Sequence, residues 1–492
     1  MTTTSDQGVH ARNGAAEMTE RDLGWKIAEV AADPVAVPAE TQAMVINRLI
    51  DNAAASAVSV GRRPVAVART QARAHRNTPG AAIFGICGSF SPEWAAFANG
   101  VAVRDLQFHD AFLADYHAHP GSTIPALVAV AQHTGLRGTD LIRGIATAYE
   151  VQISLARGMS VQHRIFDRDV HLGVSVAAGL GTLLCLPVET IHAAIAHAAH
   201  LTALPCRRSD QPHVGWRLHT PAYTGKLAIE AVDRAMRGGL SSTPPADGAD
   251  DGLDAAFWHA DDVSLPDMGE PKRAILDSYP RQHSAGYLGQ APIDLALQMR
   301  DRISDVSEIE SIVLHTSHRT HAVVGTDPDD AKKFEPDASR NALSHSVMYV
   351  FAVALQDGVW HHERSYASER ARRSDTIELR KKISTVGVQS IDSAETPFGI
   401  RADVTMRNGE VIVDELAVAH AHPAGAHPFG RKDYVAKFTE LAEGVIDRRE
   451  QQRFLDVVAC LSDLKRGSLG MLNPLVDNQI LDAAPNTYGI FR

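Results

Sequence analysis

The residues best suited to acid–base chemistry lie in one short stretch, DLQFHDAFLADYHAHPGST, which spans residues 105–123. It holds three aspartates and three histidines, namely Asp105, Asp110, Asp115, His109, His117 and His119. An imidazole titrates near the pH at which most enzymes work, so a positioned histidine can take or give a proton. The stretch could therefore be a metal site, a metal-free acid–base site, or a polar loop before the apolar segment IPALVAVA (124–131).

Histidine pairs recur along the chain, but their spacing does not match a dedicated metal motif. The pairs are His117 with His119, His361 with His362, and His420 with His422. None has the HExxH spacing that places two histidines and a base on one helix face. Neutral imidazoles commonly serve as hydrogen-bonding or solvent-exposed groups, so we predict no metal site.

Motifs for common cofactors are also missing from the sequence. It contains no GxGxxG, GxxxxGK[ST] or GxSxG, so no dinucleotide site, P-loop or nucleophile elbow is predicted. The four cysteines are scattered without a CxxC pair, which disfavours zinc ribbons and iron–sulfur clusters. We therefore predict no cofactor, and expect most cysteines to be buried thiols in a reducing cytoplasm.

Composition limits the class of protein and its partners. The chain has 492 residues, of which 45% are hydrophobic, so more than one globular domain is expected. No apolar run is long enough to cross a membrane, and residues 1–20 lack the apolar core of a secretory signal, so we predict a cytoplasmic protein. The net charge of −11 disfavours nucleic acid as a partner. An anionic substrate would need a local basic pocket.

Two histidines stand where helices are predicted to begin, and they are the main acid–base candidates. His119 precedes a Pro-Gly turn and the apolar segment from Ile124, and His171 opens the segment HLGVSVAAGLGTLLCL. A helix dipole lowers the pKa of a histidine at its N-terminus, which makes the imidazole a poised base. For either histidine alone, a capping or packed side chain is the simpler interpretation.

The elements that must position these residues fall into two groups. Glu40 to Val58 and several later segments have the apolar spacing of helices, whereas ESIVLHTS (310–317) has strand composition. Two alternating segments meet at Asn408-Gly409, which predicts a hairpin. We predict a mostly α protein, with a helical domain formed by both chain ends plus an inserted α/β (α+β) domain. The predicted boundaries are 1–20 for a flexible tail, 21–270 and 419–492 for the helical domain, and 271–418 for the inserted domain.

Several long blocks resemble the MmgE/PrpD family. They include HPGSTIPALVAVAQ, HLGVSVAAGLGT, GEPKRAILDSYPRQHSA, KKFEPDASRNALSHSVMYVFAVALQDG and HHERSYA. The resemblance runs from about residue 24 to the C-terminus. Within the family, the chain looks most like the actinobacterial type of 2-methylcitrate dehydratase, and cis-aconitate decarboxylase is a more distant likeness.

The resemblance implies a fold, an assembly and a reaction class. The inserted domain would be a lid over the helical domain, the site would lie between the two, and the protein would be a homodimer without metal or other cofactor. The family's dehydratases are lyases that remove water from the small molecule 2-methylcitrate. That reaction is a β-elimination, which needs a base, cations for the developing enediolate and an acid for the departing hydroxyl.

The resemblance also implies site residues. The expected catalytic residues are His119 and His171 as acid and base, Arg217 as the clamp for an anion or enolate, and Asp110 as an orienting group. The expected substrate-binding residues are Gln107, His109, Ala111, Ser122, Asp167, Arg168, Arg207, Tyr287 and Leu288.

Several of these positions depart from the family pattern. The motif L-D-F-[HN]-D-T becomes LQFHDA (106–111), so Gln107 replaces an acidic residue and Ala111 a threonine. Arg217 stands for the pocket lysine, which keeps the charge but not the ability to transfer a proton. Leu288 replaces a polar residue in the lid and makes one wall apolar. We therefore expect a substrate that is less polar than 2-methylcitrate, or differently charged.

Three hypotheses follow. The leading one is a diverged family enzyme, which carries out elimination, decarboxylation, isomerisation or cyclisation on a small metabolite with a carboxylate or carbonyl group. The second is an authentic 2-methylcitrate dehydratase of propionate catabolism, because fold does not fix substrate. The third is a catalytically inactive homologue that acts as a binding or regulatory protein, which the presence of His119, His171 and Asp167 disfavours.

Overall fold

A computed structural model describes residues 23–114, 117–158, 169–203, 219–239, 263–326, 335, 338–389, 399–482 and 489–491. The first half of this part of the chain is almost entirely helical. Its helices are α1 (Leu23–Ala32), α2 (Ala39–Ser59), α3 (Arg63–Arg73), α4 (Pro92–Arg104), α5 (Ile124–His133), α6 (Gly138–Gly158), α7 (Asp169–Leu184), α8 (Val188–Thr202) and α9 (Thr220–Met236). Three short strands accompany them, β1 (Arg76–Ala81), β2 (Phe112–Leu113) and β3 (His117–Ala118).

The second half mixes helices with a four-stranded sheet. Its helices are α10 (Gln290–Arg300), α11 (His318–Val324), α12 (Arg340–Ser344), α13 (Val347–Asp357), α14 (Ser368–Ala371), α15 (Ser374–Lys381), α16 (Arg431–Leu441), α17 (Arg448–Ala459) and α18 (Asn478–Asp482). Its strands are β4 (Ile309–Thr316), β5 (Ile383–Gly387), β6 (Ile400–Met406) and β7 (Val411–Leu416). Short 3₁₀ turns include Pro120–Thr123, Ala274–Asp277 and Tyr287–Gly289.

The sheet has the order β5-β4-β6-β7. Strand β4 pairs in parallel with β5 and antiparallel with β6, while β6 and β7 form a hairpin. The hairpin turns at Gly409, whose φ of 88° suits a residue without a Cβ. The sequence prediction of a hairpin across Asn408-Gly409 is therefore confirmed.

The buried side chains form two large apolar clusters. One combines helices from the first half with the C-terminal helices, where Phe438 and Phe454 pack in the same cluster as Ile27 and Ile145. The other lies under the sheet and includes Ile312, Phe351 and many further residues between Ala285 and Ala419. The predicted fold class is confirmed, because the protein is mostly α with an α/β part.

Helix α2 shows what apolar spacing reveals and what it misses. The pattern predicts a helix from Glu40 to Val58, and the structure has one from Ala39 to Ser59. The same helix also buries Arg48 and Asp51. A charged side chain is rarely buried without a partner, so these two residues indicate a polar network inside the helical core.

The expectation of buried cysteines is wrong for the three that the structure describes, since Cys87, Cys185 and Cys460 are all exposed. Two of them lie just past the ends of helices, Cys185 after α7 and Cys460 after α17. Their side chains are therefore not part of the apolar cores that these helices form. Among the described helices, none has both the length and the apolar character needed to cross a membrane.

Candidate active site at the junction of the two cores

The segment after α4 is anchored at its start. Asp105 forms an ion pair with Arg62, and its Oδ1 lies 3.3 Å from Nε2 of His219. Two residues later, Gln107 adopts a φ of 51°, a left-handed conformation that is uncommon for a residue with a side chain. Its amide donates to Asn341 Oδ1 at 3.0 Å, which links the segment to α12 beside the second core. The strained backbone thus coincides with a contact between the two parts of the protein.

Asp110 is fully buried and held on three sides. Tyr149 donates its hydroxyl to Oδ2 at 2.9 Å, the backbone N–H of Gly121 donates to Oδ1 at 2.9 Å, and Arg48 Nε lies 3.3 Å from Oδ2. Burial raises the pKa of the Asp110 carboxyl, while the charge of Arg48 acts in the opposite direction. These contacts fix the backbone on both sides of the 117–119 strand and turn, and the orienting role of Asp110 stays a prediction.

A buried lysine from the C-terminal part of the chain joins the same region. Lys437 on α16 donates its three protons to Asp51 Oδ1 at 2.7 Å, to the Phe108 carbonyl at 2.6 Å and to the Arg281 carbonyl at 2.8 Å. An ammonium group has three donors, so its hydrogen-bonding capacity is fully used. Lys437 therefore fixes the distance between the residue before His109 and the segment that carries Arg281.

His119 lies at the N-terminus of the 3₁₀ turn Pro120–Thr123 and is half-buried. Its Nδ1 is 3.2 Å from Nη2 of Arg281. Arg281 is buried and also donates through Nη1 to the Gln107 carbonyl at 2.6 Å. Burial, followed by the charges of Arg104 and Arg281, holds the pKa of His119 well below its ordinary value. The side chain is therefore a neutral imidazole at neutral pH.

Two neighbouring histidines also contact arginines, His117 through Nδ1 and His109 through Nε2. His117 Nδ1 is 2.7 Å from Nη2 of Arg319, and His109 Nε2 is 3.3 Å from Nη1 of Arg104. His109 Nε2 also lies 3.2 Å from Ser122 Oγ. Burial and the charge of Arg104 hold the pKa of His109 well below its ordinary value. The rings of His109 and His119 lie 5.6 Å apart, so the sequence-predicted residues His109, His119 and Ser122 are brought together.

His171 lies in the first turn of α7, which begins at Asp169, and its ring is buried. Burial lowers the pKa of His171 to about 4. Desolvation is the cause of this shift, whereas the sequence reasoning assigned it to the helix dipole. Helix α7 packs against the 3₁₀ turn that follows His119, so the two predicted acid–base residues belong to adjoining elements.

The remaining predicted residues have different surroundings. Ala111 is buried, and its backbone pairs with Tyr279 through two hydrogen bonds of 3.0 and 2.7 Å. Tyr287 is buried with its ring 4.9 Å from that of Tyr279. Leu288 is half-buried and, with Tyr287, lines a small cavity against Thr316 and Ile400 of the sheet. The apolar side chain of Leu288 thus packs against both apolar clusters.

Four predicted residues, Asp167, Arg168, Arg207 and Arg217, lie outside the described residues. Their roles stay predictions. Within the part of the chain that the structure covers, no group of three or more histidine, cysteine, aspartate or glutamate side chains is placed to hold a metal ion.

The sequence reasoning missed the cations that surround the histidines. Arg281 and Arg319 are separated from their histidine partners by 162 and 202 residues, so no local spacing could pair them. Arg48 and Asp51 did carry a signal, because they are two charged residues one turn apart in a helix that also buries Val45, Leu49 and Ile50. Chemically, the assembled groups offer neutral imidazoles, fixed hydrogen-bond donors and positive charge, which suit proton transfer next to a carboxylate or carbonyl group.

Comparison with known proteins defines the class. The model of the MmgE/PrpD N-terminal domain matches residues 21–265, and that of the MmgE/PrpD C-terminal domain matches residues 283–463. Together these matches cover most of the chain, which therefore belongs to the MmgE/PrpD family.

Individual relatives have low sequence identity to this chain, but the alignments with them are long. Cis-aconitate decarboxylase of Mus musculus is 23% identical over 396 residues, which are 76% of this chain and 76% of the relative. The 2-methylcitrate dehydratase of Salmonella typhimurium is 24% identical over 418 residues, which are 77% of this chain and 81% of the relative. That of Escherichia coli O157:H7 is 23% identical over 400 residues, covering 74% and 78%. The protein is thus an MmgE/PrpD-family enzyme related to a dehydratase and a decarboxylase.

Proposed function

We propose that the enzyme performs cofactor-free acid–base chemistry of the lyase type on a small metabolite that carries a carboxylate or carbonyl group. The observation that most supports this is the pairing of His119 with Arg281 at the junction of the two cores. The pair combines a neutral imidazole with a fixed cation, and it adjoins the element that carries His171.

The proposed reaction has three parts. A base removes a proton from the carbon next to the carboxylate or carbonyl group, and negative charge develops on that group's oxygens. Positive charge that is fixed in place stabilises this developing charge without reorganising, because Lys437 donates to the Arg281 carbonyl and helps to hold the buried Arg281 in position. The bond to the leaving group then breaks, and an acid protonates the leaving group where needed. His119 and His171 are the residues proposed for these steps, with Arg217 as a clamp for the anion.

The substrate is proposed to differ from 2-methylcitrate. Gln107 and Ala111 replace polar or acidic residues of the family pattern, and Gln107 occupies a strained backbone position beside the site. A second candidate is 2-methylcitrate dehydratase itself, because relatives of that name align over about three quarters of the chain. Both candidates include a homodimer, as the family resemblance implies, and a cytoplasmic location, as the sequence composition predicts.

One assay separates the candidates. EDTA-treated protein is incubated with 2-methylcitrate, and formation of the conjugated alkene is followed by its ultraviolet absorbance. A family dehydratase serves as positive control and the His119→Gln variant as negative control. Turnover like that of the control enzyme would establish the second candidate. No turnover with 2-methylcitrate, but proton exchange into other small carboxylates that His119→Gln abolishes, would support the first. A folded protein that exchanges no proton with any such substrate would refute both.

A further inference from the structure

Arg281 determines which nitrogen of His119 carries the proton. A guanidinium group has five N–H donors and no acceptor, so the atom it contacts must accept the hydrogen bond. Nη2 of Arg281 lies 3.2 Å from Nδ1 of His119, and Nδ1 must therefore present its lone pair. A neutral imidazole has only one N–H, which is left on Nε2.

Arg281 itself has little freedom to move away. Its side chain is 1% exposed, its Nη1 donates to the Gln107 carbonyl at 2.6 Å, and its own carbonyl accepts from Lys437 at 2.8 Å. Hydrogen bonds thus hold Arg281 both at its backbone carbonyl and at its guanidinium group. A tautomer with the proton on Nδ1 would place its N–H against an N–H of the buried Arg281, and two donors that face one another in this way are costly.

The groups that face His119 all oppose a positive charge on its ring. Arg104 at the end of α4 and Arg281 do so by their charge, and the two neighbouring rings, His109 and His117 on β3, supply no negative charge that would offset them. His117 repeats the arrangement, since its Nδ1 contacts Arg319. The pattern therefore occurs twice within three residues, on arginines from two different parts of the chain.

We propose that Arg281 is a positioning residue that keeps His119 in the neutral tautomer with its proton on Nε2, so that His119 acts as a hydrogen-bond donor to a developing oxyanion. This inference rests on the proposed function and makes one part of it definite. His119 then does not abstract the substrate proton, because a free lone pair on Nε2 would require the disfavoured tautomer. The base is another group, and His171 is the candidate. A neutral imidazole that donates to an enolate oxygen is a known catalytic device.

The tautomer can be measured without substrate. The full chain is labelled with ¹⁵N-histidine, and long-range proton–nitrogen spectra distinguish protonated from unprotonated ring nitrogens. The chain has 24 histidines, so the His119 signals are identified by their loss in the His119→Gln variant. We expect an unprotonated Nδ1 and a protonated Nε2 at neutral pH, because burial and the nearby charges disfavour protonation of the ring. A proton on Nδ1, or a mixture of tautomers, would overturn the proposal.

Variants test whether Arg281 is what fixes the tautomer of His119. In Arg281→Gln the side-chain amide can donate or accept, so the tautomers should mix and the proton affinity of His119 should rise about tenfold or more. Arg281→Lys keeps a donor-only cation and should retain the wild-type tautomer. Arg319→Gln is the matched control, which changes the partner of His117 and should leave His119 unchanged. His119 signals in Arg281→Gln that match those of the wild type would refute the inference.

The experiment also separates this inference from the proposed function. If Arg281→Gln does not fold, the wild-type spectrum still decides, because it reports the tautomer directly. A protein with the expected tautomer but no turnover would contradict the proposed function alone. An active enzyme with its His119 proton on Nδ1 would contradict the inference alone. In active protein, the acid limb of the pH–rate profile should shift to higher pH in Arg281→Gln and not in Arg319→Gln.

Discussion

Replacement of Lys437 by methionine should destabilise the protein strongly. Lys437 is buried and donates to one carboxylate and two carbonyls, with Nζ–oxygen distances between 2.6 and 2.8 Å. Methionine fills a similar volume, so the loss comes from the polar contacts and not from a cavity. Removing one partner of a buried ion pair typically costs about 3–5 kcal/mol, because the other charge stays buried and uncompensated. We expect a loss of about 3–5 kcal/mol in the free energy of unfolding, since Asp51 is fully buried.

The same variant should lose activity. Lys437 holds the Phe108 and Arg281 carbonyls together. Phe108 directly precedes His109, and Arg281 contacts His119. A displacement of about 1 Å at such a site can lower turnover about 100-fold. The combined change Asp51→Asn with Lys437→Met removes both charges, so its loss of stability should be smaller than the sum of the two single losses.

Urea unfolding and steady-state turnover would measure these effects. The matched control is Lys432→Met on the same helix, where the lysine is exposed and the change should stay within about 0.5 kcal/mol. If Lys437→Met unfolds within about 1 kcal/mol of Lys432→Met, the reasoning about the buried pair is wrong.

Three further predictions concern the same region. A Cβ on Gly121 would collide with the Asp110 carboxylate, so Gly121→Ala should cost about 1–3 kcal/mol in urea unfolding, whereas Gly470→Ala, with open space around it, should be close to neutral. Burial lowers the pKa of His171 to about 4, so the unfolded state, with a histidine pKa of about 6.5, binds the extra proton. The contribution of His171 to stability is therefore present above about pH 6.5 and lost as the pH falls towards 4. His171→Gln should reduce this slope by up to about 1.4 kcal/mol per pH unit, and an unchanged slope would contradict the assignment. Gln107→Gly should relieve the φ of 51° and raise stability by up to about 1 kcal/mol while turnover falls; a loss of stability would show that the contact with Asn341 outweighs the strain.

Local patterns in the sequence predicted local structure well. The apolar spacing located α2 to within one residue at each end, and the Asn408-Gly409 pair located the hairpin. Both depend on interactions between residues that are close in the chain. The position of His119 before a Pro-Gly turn was also visible, because proline and glycine restrict or release backbone angles locally.

The electrostatic partners were not predictable in the same way. Lys437 contacts residues up to 386 positions away, and Arg319 contacts His117 across 202 positions. Only tertiary packing brings such groups together, and a single sequence carries no periodic signal for it. The pKa of His171 shows the same limit, since it depends on how much protein covers the ring and not on its place at the start of a helix.

The contacts between α2 and α16 also constrain how the enzyme is made. Arg48 meets Tyr434 and Asp51 meets Lys437, and each pair is separated by 386 residues. At a ribosomal rate of about 5–20 residues per second, roughly 20 to 75 seconds pass between synthesis of the first and second members. During that interval Asp51 lacks the lysine that pairs with it in the folded protein, and Arg48 lacks its contact with Tyr434. Nascent chains should therefore gain activity only after α16 has left the ribosome, when both of these contacts can form.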